Sequence, residues 1–235
     1  MQLTATKPVL LPRLALAPGA GEALKVLALV LMTGDHINKY LLGDRAAWLF
    51  DAGRVALPLF VMVMAANLAR PGAGAAAARV RTMRRLALFG AVASVPFIAL
   101  GGLLFHWWPL NVMFTLLTLC AVIHFRAKEG LAAVAIAWCV FVVGGAMVEF
   151  WWPALVLGLA TFAYMRMPSP KSALGVVLSC AALWFINRNS FALLAIPVFI
   201  LACNVRVEVP RMKWLFYSYY PAHLAVILAI RQFGG

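Results

Sequence analysis

Long apolar runs alternate with short polar connections along the whole chain, and their length predicts helices rather than strands. A helix that crosses a bilayer needs about 20 apolar residues. The pattern predicts about nine such segments, at Lys25–Leu42, Ala46–Ala69, Met83–Phe105, Pro109–Phe125, Gly130–Met147, Trp151–Met165, Ser172–Ile186, Phe191–Cys203 and Lys213–Ile230. We therefore predict an all-α polytopic integral membrane protein, with an N-terminal tail over residues 1–24 and a single transmembrane domain over residues 25–235.

Composition and charge agree with a membrane protein. The chain is 65% hydrophobic and only 11% charged, with a mean hydropathy of +0.95. Its net charge of +13 could indicate nucleic-acid binding, but the basic residues follow topology instead. With the N-terminus in the cytoplasm, 15 Lys and Arg residues fall on the cytoplasmic side and four on the opposite side. We expect the lipid bilayer, and no nucleic acid, to be the partner that this charge serves.

The first two segments carry charged side chains within their apolar runs. Asp35 and His36 lie in the first segment, whereas Asp51 and Arg54 lie three residues apart on one face of the second. A charge at membrane depth costs free energy, so such residues are functional candidates. Asp35 and Asp51 can both neutralise Arg54. Two alternatives are a purely structural salt bridge and a first span that ends before these charges.

A hairpin turn between these two segments sets the depth of the charged side chains. If the chain turns near residue 45, His36 and Arg54 lie level with each other. At ~1.5 Å per residue, His36 lies ~16 Å and His223 ~15 Å from the cytoplasmic ends of their segments. The spacing therefore predicts that His36, Arg54 and His223 share one depth, and leaves open whether their side chains face one another.

Polar residues outside the first two segments give further candidates. Arg81 and Arg84 are three apart at the start of a helix, so both guanidinium groups can bind one phosphate, with Arg85 beside them. Membrane topology alone explains these arginines equally well. Asn111 opens the fourth segment, and Tyr220 lies in an aromatic stretch of the last one, which an interfacial aromatic patch would also explain.

Five motifs in order resemble one known family. They are Met32-x-x-Asp35-His36, Gly53-Arg54-x-Ala56-x-Pro58-x-Phe60, Arg85-Leu86 with Ser94-x-Pro96-Phe97, Asn111-Val112-x-Phe114-Thr115-Leu116, and Tyr217-x-x-Tyr220-Pro221-x-His223-Leu224. Together they cover about Lys25 to Ile230 and resemble the TraX family. Residues 126–205 between them carry little that matches.

The resemblance implies a bacterial inner-membrane protein of a conjugative transfer system that acetylates the N-terminus of a pilin subunit. TraX proteins are similar to transmembrane acyltransferases, in which a His in the first helices is catalytic and Arg residues at the cytoplasmic face bind acetyl-CoA. By position these roles fall to His36 and to Arg81, Arg84 and Arg85. Acetyl-CoA is then the acetyl donor, and we expect no metal, since the four cysteines lack metal-ligand spacing.

This reading gives each polar candidate a role. His36 would act as general base, with Asp35 orienting it as a carboxylate does in a catalytic triad. Arg54, Asn111 or Tyr220 would stabilise the oxyanion. An acetyl-histidine relay is the alternative chemistry. A proton-coupled transporter and a non-catalytic pilus-assembly protein are the alternative functions, and the identity of the acceptor stays open.

Overall fold

The computed structural model describes residues 11–234, which form helices joined by short loops, with no β-strand among them. The helices are α1 (Pro18–Tyr40), α2 (Ala47–Gly53), α3 (Ala56–Ala69), α4 (Ala75–Ala99), α5 (Val112–Arg126), α6 (Leu131–Cys139), α7 (Gly145–Met147), α8 (Trp151–Arg166), α9 (Pro170–Ala182), α10 (Trp184–Asn187), α11 (Ala195–Asn204) and α12 (Lys213–Phe233). A π-helical turn (Val140–Gly144) joins α6 to α7, and a 3-10 turn (Phe191–Leu194) precedes α11. The first ten positions of the predicted tail lie outside the described residues.

Each predicted apolar segment coincides with a helix or with an interrupted helix. Three stretches are long and apolar enough to cross a membrane, namely Ala47–Ala69, Ala75–Ala99 and Pro170–Asn187. The all-α prediction is therefore confirmed for residues 11–234, and the three stretches fit a membrane protein by their length and composition. The number of spans and the side of each loop stay predictions.

Two helices begin earlier than the apolar pattern predicts. The first begins at Pro18 instead of Lys25, because proline is well suited to the first turn of a helix. The third predicted segment begins at Ala75 instead of Met83, because the alanine-rich run before the arginines has high helix propensity. Residues 70–85 are rich in arginine, and their sequence predicts a basic connection between two segments. Most of this stretch instead forms the first turns of α4.

The centre of the fold is α3, which is buried along most of its length. Leu59, Val61 and Ala65 are fully buried in it. The helix packs against α1 on one side and α8 on another, while α4 packs against α5 and α12. The helix is interrupted between α2 and α3, where Arg54 lies. Pro58 lacks an N–H for the carbonyl of Arg54, and this absence favours the break.

Candidate functional site

Arg54 and Asp35 form an ion pair between α1 and the α2–α3 break. The guanidinium donates to Asp35 Oδ2, and both side chains are only 14% exposed. Arg54 Nε also donates to the Phe50 carbonyl at 3.1 Å, and the guanidinium lies 4.2 Å from the centre of the Phe50 ring. Gly53 permits this approach, because a Cβ there would lie 2.5 Å from Asp35 Cβ. The level placement of the two segments that the hairpin predicts is confirmed.

His36 faces α12, where it hydrogen-bonds to His223. His36 Nδ1 lies 2.8 Å from His223 Nε2, and the two ring planes are 3° apart. His223 Nδ1 lies 3.0 Å from the Tyr219 carbonyl oxygen. The predicted common depth of His36 and His223 is therefore confirmed, and the two side chains face each other.

These contacts fix the tautomers of both neutral imidazoles. A carbonyl only accepts, so His223 Nδ1 carries the hydrogen and His223 Nε2 is an acceptor. His36 Nδ1 must then donate to it, which leaves the lone pair on His36 Nε2. The arrangement presents His36 Nε2 as a base or nucleophile.

Asp35 does not orient His36, and this part of the sequence-based mechanism is wrong. Successive residues of an α-helix point about 100° apart, so neighbours on α1 face different partners. Asp35 is taken by Arg54, while the orienting partner of His36 is His223, backed by the Tyr219 carbonyl.

Two supporting candidates have other partners than predicted. Asp51 accepts from Asn189 Nδ2 at 2.8 Å, so Asp35 is the carboxylate that neutralises Arg54. Asn111 is fully buried as the N-cap of α5, where its Oδ1 accepts from Met113 N at 3.1 Å. Its Nδ2 donates to the Gly90 carbonyl at 3.0 Å and to Ser94 Oγ at 3.1 Å on α4. Both amide hydrogens have acceptors, so Asn111 is a structural cap without a donor left for an oxyanion.

Two cavities meet inside the helical assembly. The histidine cavity has a volume of about 460 Å³ and is lined by His36, Asp35, Arg54, Lys39 and Glu149, among others. The basic cavity has a volume of about 470 Å³ and lies towards the N-terminal end of α1. Four residues line both cavities and form their shared wall: Met32, Phe60, Val112 and Tyr220. Tyr220 thus lies between the cavities, and its ring centre is 5.4 Å from that of His223.

The basic cavity collects cations from separate parts of the chain. Its charged lining consists of Lys25, Arg70, Arg85, Arg211 and Lys213, with one carboxylate, Glu22, that pairs with Lys25 at 2.8 Å. The Arg85 guanidinium lies 5.0 Å from the Trp214 ring centre. Such a site suits a multiply charged anion.

Arg85 is the only one of the three predicted phosphate-binding arginines that lines the basic cavity. Arg81 and Arg84 are exposed and are not part of its lining. The i, i+3 spacing predicts a shared phosphate for those two side chains, but it does not fix which face of α4 meets the cavity. The structure favours Arg85 over both.

Sequence reasoning missed two buried polar groups of the histidine cavity. Asn38 is fully buried, and its Oδ1 accepts from Ala46 N at 2.8 Å, which assigns the amide orientation. Its Nδ2 has no hydrogen-bond partner among the described residues. Glu149 lies in the loop between α7 and α8 and is 7% exposed. A polar residue within an apolar stretch was the available signal for Asn38, whereas the position of Glu149 between two segments concealed it.

Within residues 11–234, no group of three His, Cys, Asp or Glu side chains could hold a metal ion. The histidine cavity offers an imidazole pair, an ion pair and buried polar groups for chemistry.

Comparison with known proteins gives the family. No solved structure matches the chain. Protein TraX of Escherichia coli is 37% identical over 98 residues, and Protein TraX of Escherichia coli strain K12 is 38% identical over 99 residues. Each match spans 42% of this chain and only 36% of the relative. The model of the TraX protein family matches residues 20–231. The chain therefore belongs to the TraX protein family.

Proposed function

We propose that the chain is a membrane-embedded acetyltransferase that moves an acetyl group from cytoplasmic acetyl-CoA to the N-terminal amine of a conjugative pilin subunit. The observation that carries this proposal is the hydrogen-bond chain from Tyr219 through His223 to His36, which leaves the His36 Nε2 lone pair free. Membership of the TraX family supports the link to pilin and conjugative transfer.

The basic cavity fits the acetyl donor. The phosphates of acetyl-CoA cannot enter hydrocarbon, so they need cations at the mouth of a buried site. Arg85, Arg211 and Lys213 line the basic cavity and make no ion pair with a described carboxylate. The pantetheine arm extends from these cations towards the shared wall, and the acetyl group reaches His36 beyond it. The cation-rich mouth is then cytoplasmic, in agreement with the charge distribution of the loops and with an inner-membrane location.

The acetyl transfer uses His36 as general base. The neutral acceptor amine attacks the thioester carbonyl carbon, so that a C–N bond forms and the C–S bond breaks. His36 Nε2 takes the proton released from the amine nitrogen and returns it to the departing CoA thiolate. His223 accepts the His36 Nδ1 hydrogen bond and stabilises the positive charge that His36 gains. Arg54, which lines the same cavity, stabilises the oxyanion of the tetrahedral intermediate.

Mass spectrometry of a co-expressed pilin tests the function. Wild-type protein should add one acetyl group to the pilin N-terminus, and the His36→Ala variant should add none. His124→Ala is the matched control, because His124 is a buried histidine that lines neither cavity. Acetylation that persists with His36→Ala would rule out catalysis by His36. Absence of acetylation by the wild-type protein at normal membrane levels would instead indicate a non-catalytic assembly role.

The same protein distinguishes direct transfer from a relay through histidine. When the protein is incubated with acetyl-CoA and no acceptor, direct transfer leaves His36 unmodified. An acetyl group found on a His36 peptide would show the acetyl-histidine route instead.

A further inference from the structure

The two cavities differ in the charge of their linings. The basic cavity is lined by five cationic side chains and one carboxylate, which is already paired. The histidine cavity is lined by three carboxylates, Asp35, Asp44 and Glu149, and by two cations, Lys39 and Arg54. The histidine cavity therefore lacks the excess of cations that makes the basic cavity suitable for an anion.

Glu149 is the buried carboxyl group of the histidine cavity that forms no salt bridge among the described residues. Asp35 is paired with Arg54, and Asp44 is exposed to solvent. Glu149 is 7% exposed and makes no ion pair within residues 11–234. Lys39 lines the same cavity and attracts Glu149 from beyond salt-bridge distance, while its ammonium lies 4.9 Å from the centre of the Tyr40 ring. Burial disfavours the charged form of Glu149, and a cation that enters the cavity would stabilise that form.

The loop that carries Glu149 is held firmly in place. Glu149 N donates to the Leu110 carbonyl at 2.9 Å, and its own carbonyl accepts from Thr115 Oγ1 at 2.8 Å. The next two residues, Phe150 and Trp151, have φ angles of 62° and 45°, which side-chain-bearing residues rarely adopt. Such conformations persist where the surrounding structure enforces them, often at ligand-binding positions. The backbone that carries the Glu149 side chain is thus fixed at the cavity wall.

Asn38 supplies a second unused polar group in the same cavity. Its Nδ2 is a buried hydrogen-bond donor with no acceptor among the described residues. The Glu149 carboxylate, in contrast, can bind a cation. An ammonium group and a nearby carbonyl oxygen would satisfy the two side chains together. The amino terminus of a peptide carries both groups.

We infer that the histidine cavity binds the free amino terminus of a peptide, with Glu149 contacting the ammonium and Asn38 donating to a peptide carbonyl. This inference rests on the proposed acetyl transfer for its purpose, because it names the subsite that holds the acceptor beside His36. It selects positively charged amines over neutral hydroxyl groups as acceptors. The ammonium loses its excess proton to water before the amine attacks.

Binding to the purified full-length protein tests the subsite without any turnover. The probes are an alanine hexapeptide with a free α-amine and the same peptide with an acetylated N-terminus, titrated by calorimetry. Wild-type protein should bind the free peptide more tightly. Glu149→Gln should weaken that binding by about tenfold or more, since a hydrogen bond to a charged group is lost, and should leave the blocked peptide unaffected. Glu129→Gln, which makes the same change at an exposed residue that lines neither cavity, should bind both peptides as wild type does.

Three results would overturn the subsite. They are equal binding of both peptides by the wild-type protein, unchanged binding of the free peptide by Glu149→Gln, and an equal loss for both peptides in that variant at unaltered thermal stability. If Glu149→Gln is poorly folded, wild-type protein is titrated with the same hexapeptide lacking its α-amino group, and binding as tight as that of the free-amine peptide would overturn the subsite. Because these are binding measurements, a selective loss would support the subsite even if no pilin acetylation were detected.

Discussion

His36 and His223 are 187 positions apart in the chain, and their ring nitrogens meet at 2.8 Å. The contact joins α1 to α12 and fixes which His36 nitrogen carries the lone pair. Asp35, the adjacent residue, is turned away to Arg54. The histidine pair and the ion pair are thus two separate interactions of α1 with different partners. Each can be tested without removing the other.

The hydrogen bond from His36 to His223 should matter for rate more than for binding. We expect His223→Phe to lower the rate of pilin acetylation by about 10²-fold, because His36 loses the acceptor that sets its tautomer. His223→Gln should retain more activity than His223→Phe, because its amide oxygen can replace Nε2 as the acceptor. The measurement is initial rate by mass spectrometry, with His124→Phe as the control. Equal rates for the Gln and Phe variants would contradict the tautomer argument.

The ion pair of Asp35 and Arg54 should show strong coupling in stability. Removing one partner leaves an uncompensated charge at 14% side-chain exposure, so Asp35→Asn and Arg54→Met should each cost about 2 kcal/mol of unfolding free energy. The double variant should lose less than the sum of the two single changes. Denaturant titration of the protein in detergent micelles measures all four forms. Additive losses would show that the pair contributes nothing as a pair.

Gly53 should be intolerant of even one additional carbon. A Cβ there would lie 2.5 Å from Asp35 Cβ, and this is the point where α2 approaches α1. We expect Gly53→Ala to cost about 1–3 kcal/mol through overpacking and to displace the ion pair. Gly72→Ala is the control, because nothing lies within 4 Å of a Cβ at that position. A thermal midpoint for Gly53→Ala as high as that of the control would contradict the predicted clash.

Sequence reasoning located the helices and the depth of the polar residues, because hydrophobic periodicity and helical rise depend only on position along the chain. The direction of a side chain depends on how each helix is rotated about its axis, and the sequence does not give that rotation. For this reason the sequence leaves both His36 and Arg54 open as partners of Asp35, and it groups Arg81 and Arg84 with Arg85. The cap at Asn111 was readable, since asparagine before an apolar run is a strong N-cap signal.

The choice among the arginines of α4 is open to direct measurement. Arg85 lines the basic cavity and stacks near Trp214, whereas Arg84, the residue before it, is exposed. We expect Arg85→Ala to weaken acetyl-CoA binding by about tenfold, because a charge-assisted contact to phosphate is lost. Arg84→Ala and Arg81→Ala should bind nearly as wild type does. Calorimetry with acetyl-CoA measures the affinity of each variant. An equal loss of affinity in all three variants would show that these arginines act only through their general electrostatic attraction.

The shared wall between the cavities should set the length of the acyl group. Phe60 lines both cavities, so the acyl chain of the donor passes this ring before it meets His36. Removing the ring enlarges the passage without altering the histidine pair. Since an additional methylene in an apolar pocket changes selectivity by about tenfold or more, Phe60→Ala should raise butyryl transfer relative to acetyl transfer by about that factor.

Two controls separate this effect from general loosening of the core. Leu57 lines only the histidine cavity and Val63 only the basic cavity, so Leu57→Ala and Val63→Ala should keep the wild-type preference for acetyl. Mass spectrometry of pilin after incubation with equal amounts of acetyl-CoA and butyryl-CoA gives the ratio in a single sample. A Phe60→Ala ratio equal to that of the controls would show that the acyl group reaches His36 by another route, and the basic cavity would then lose its role as the donor site.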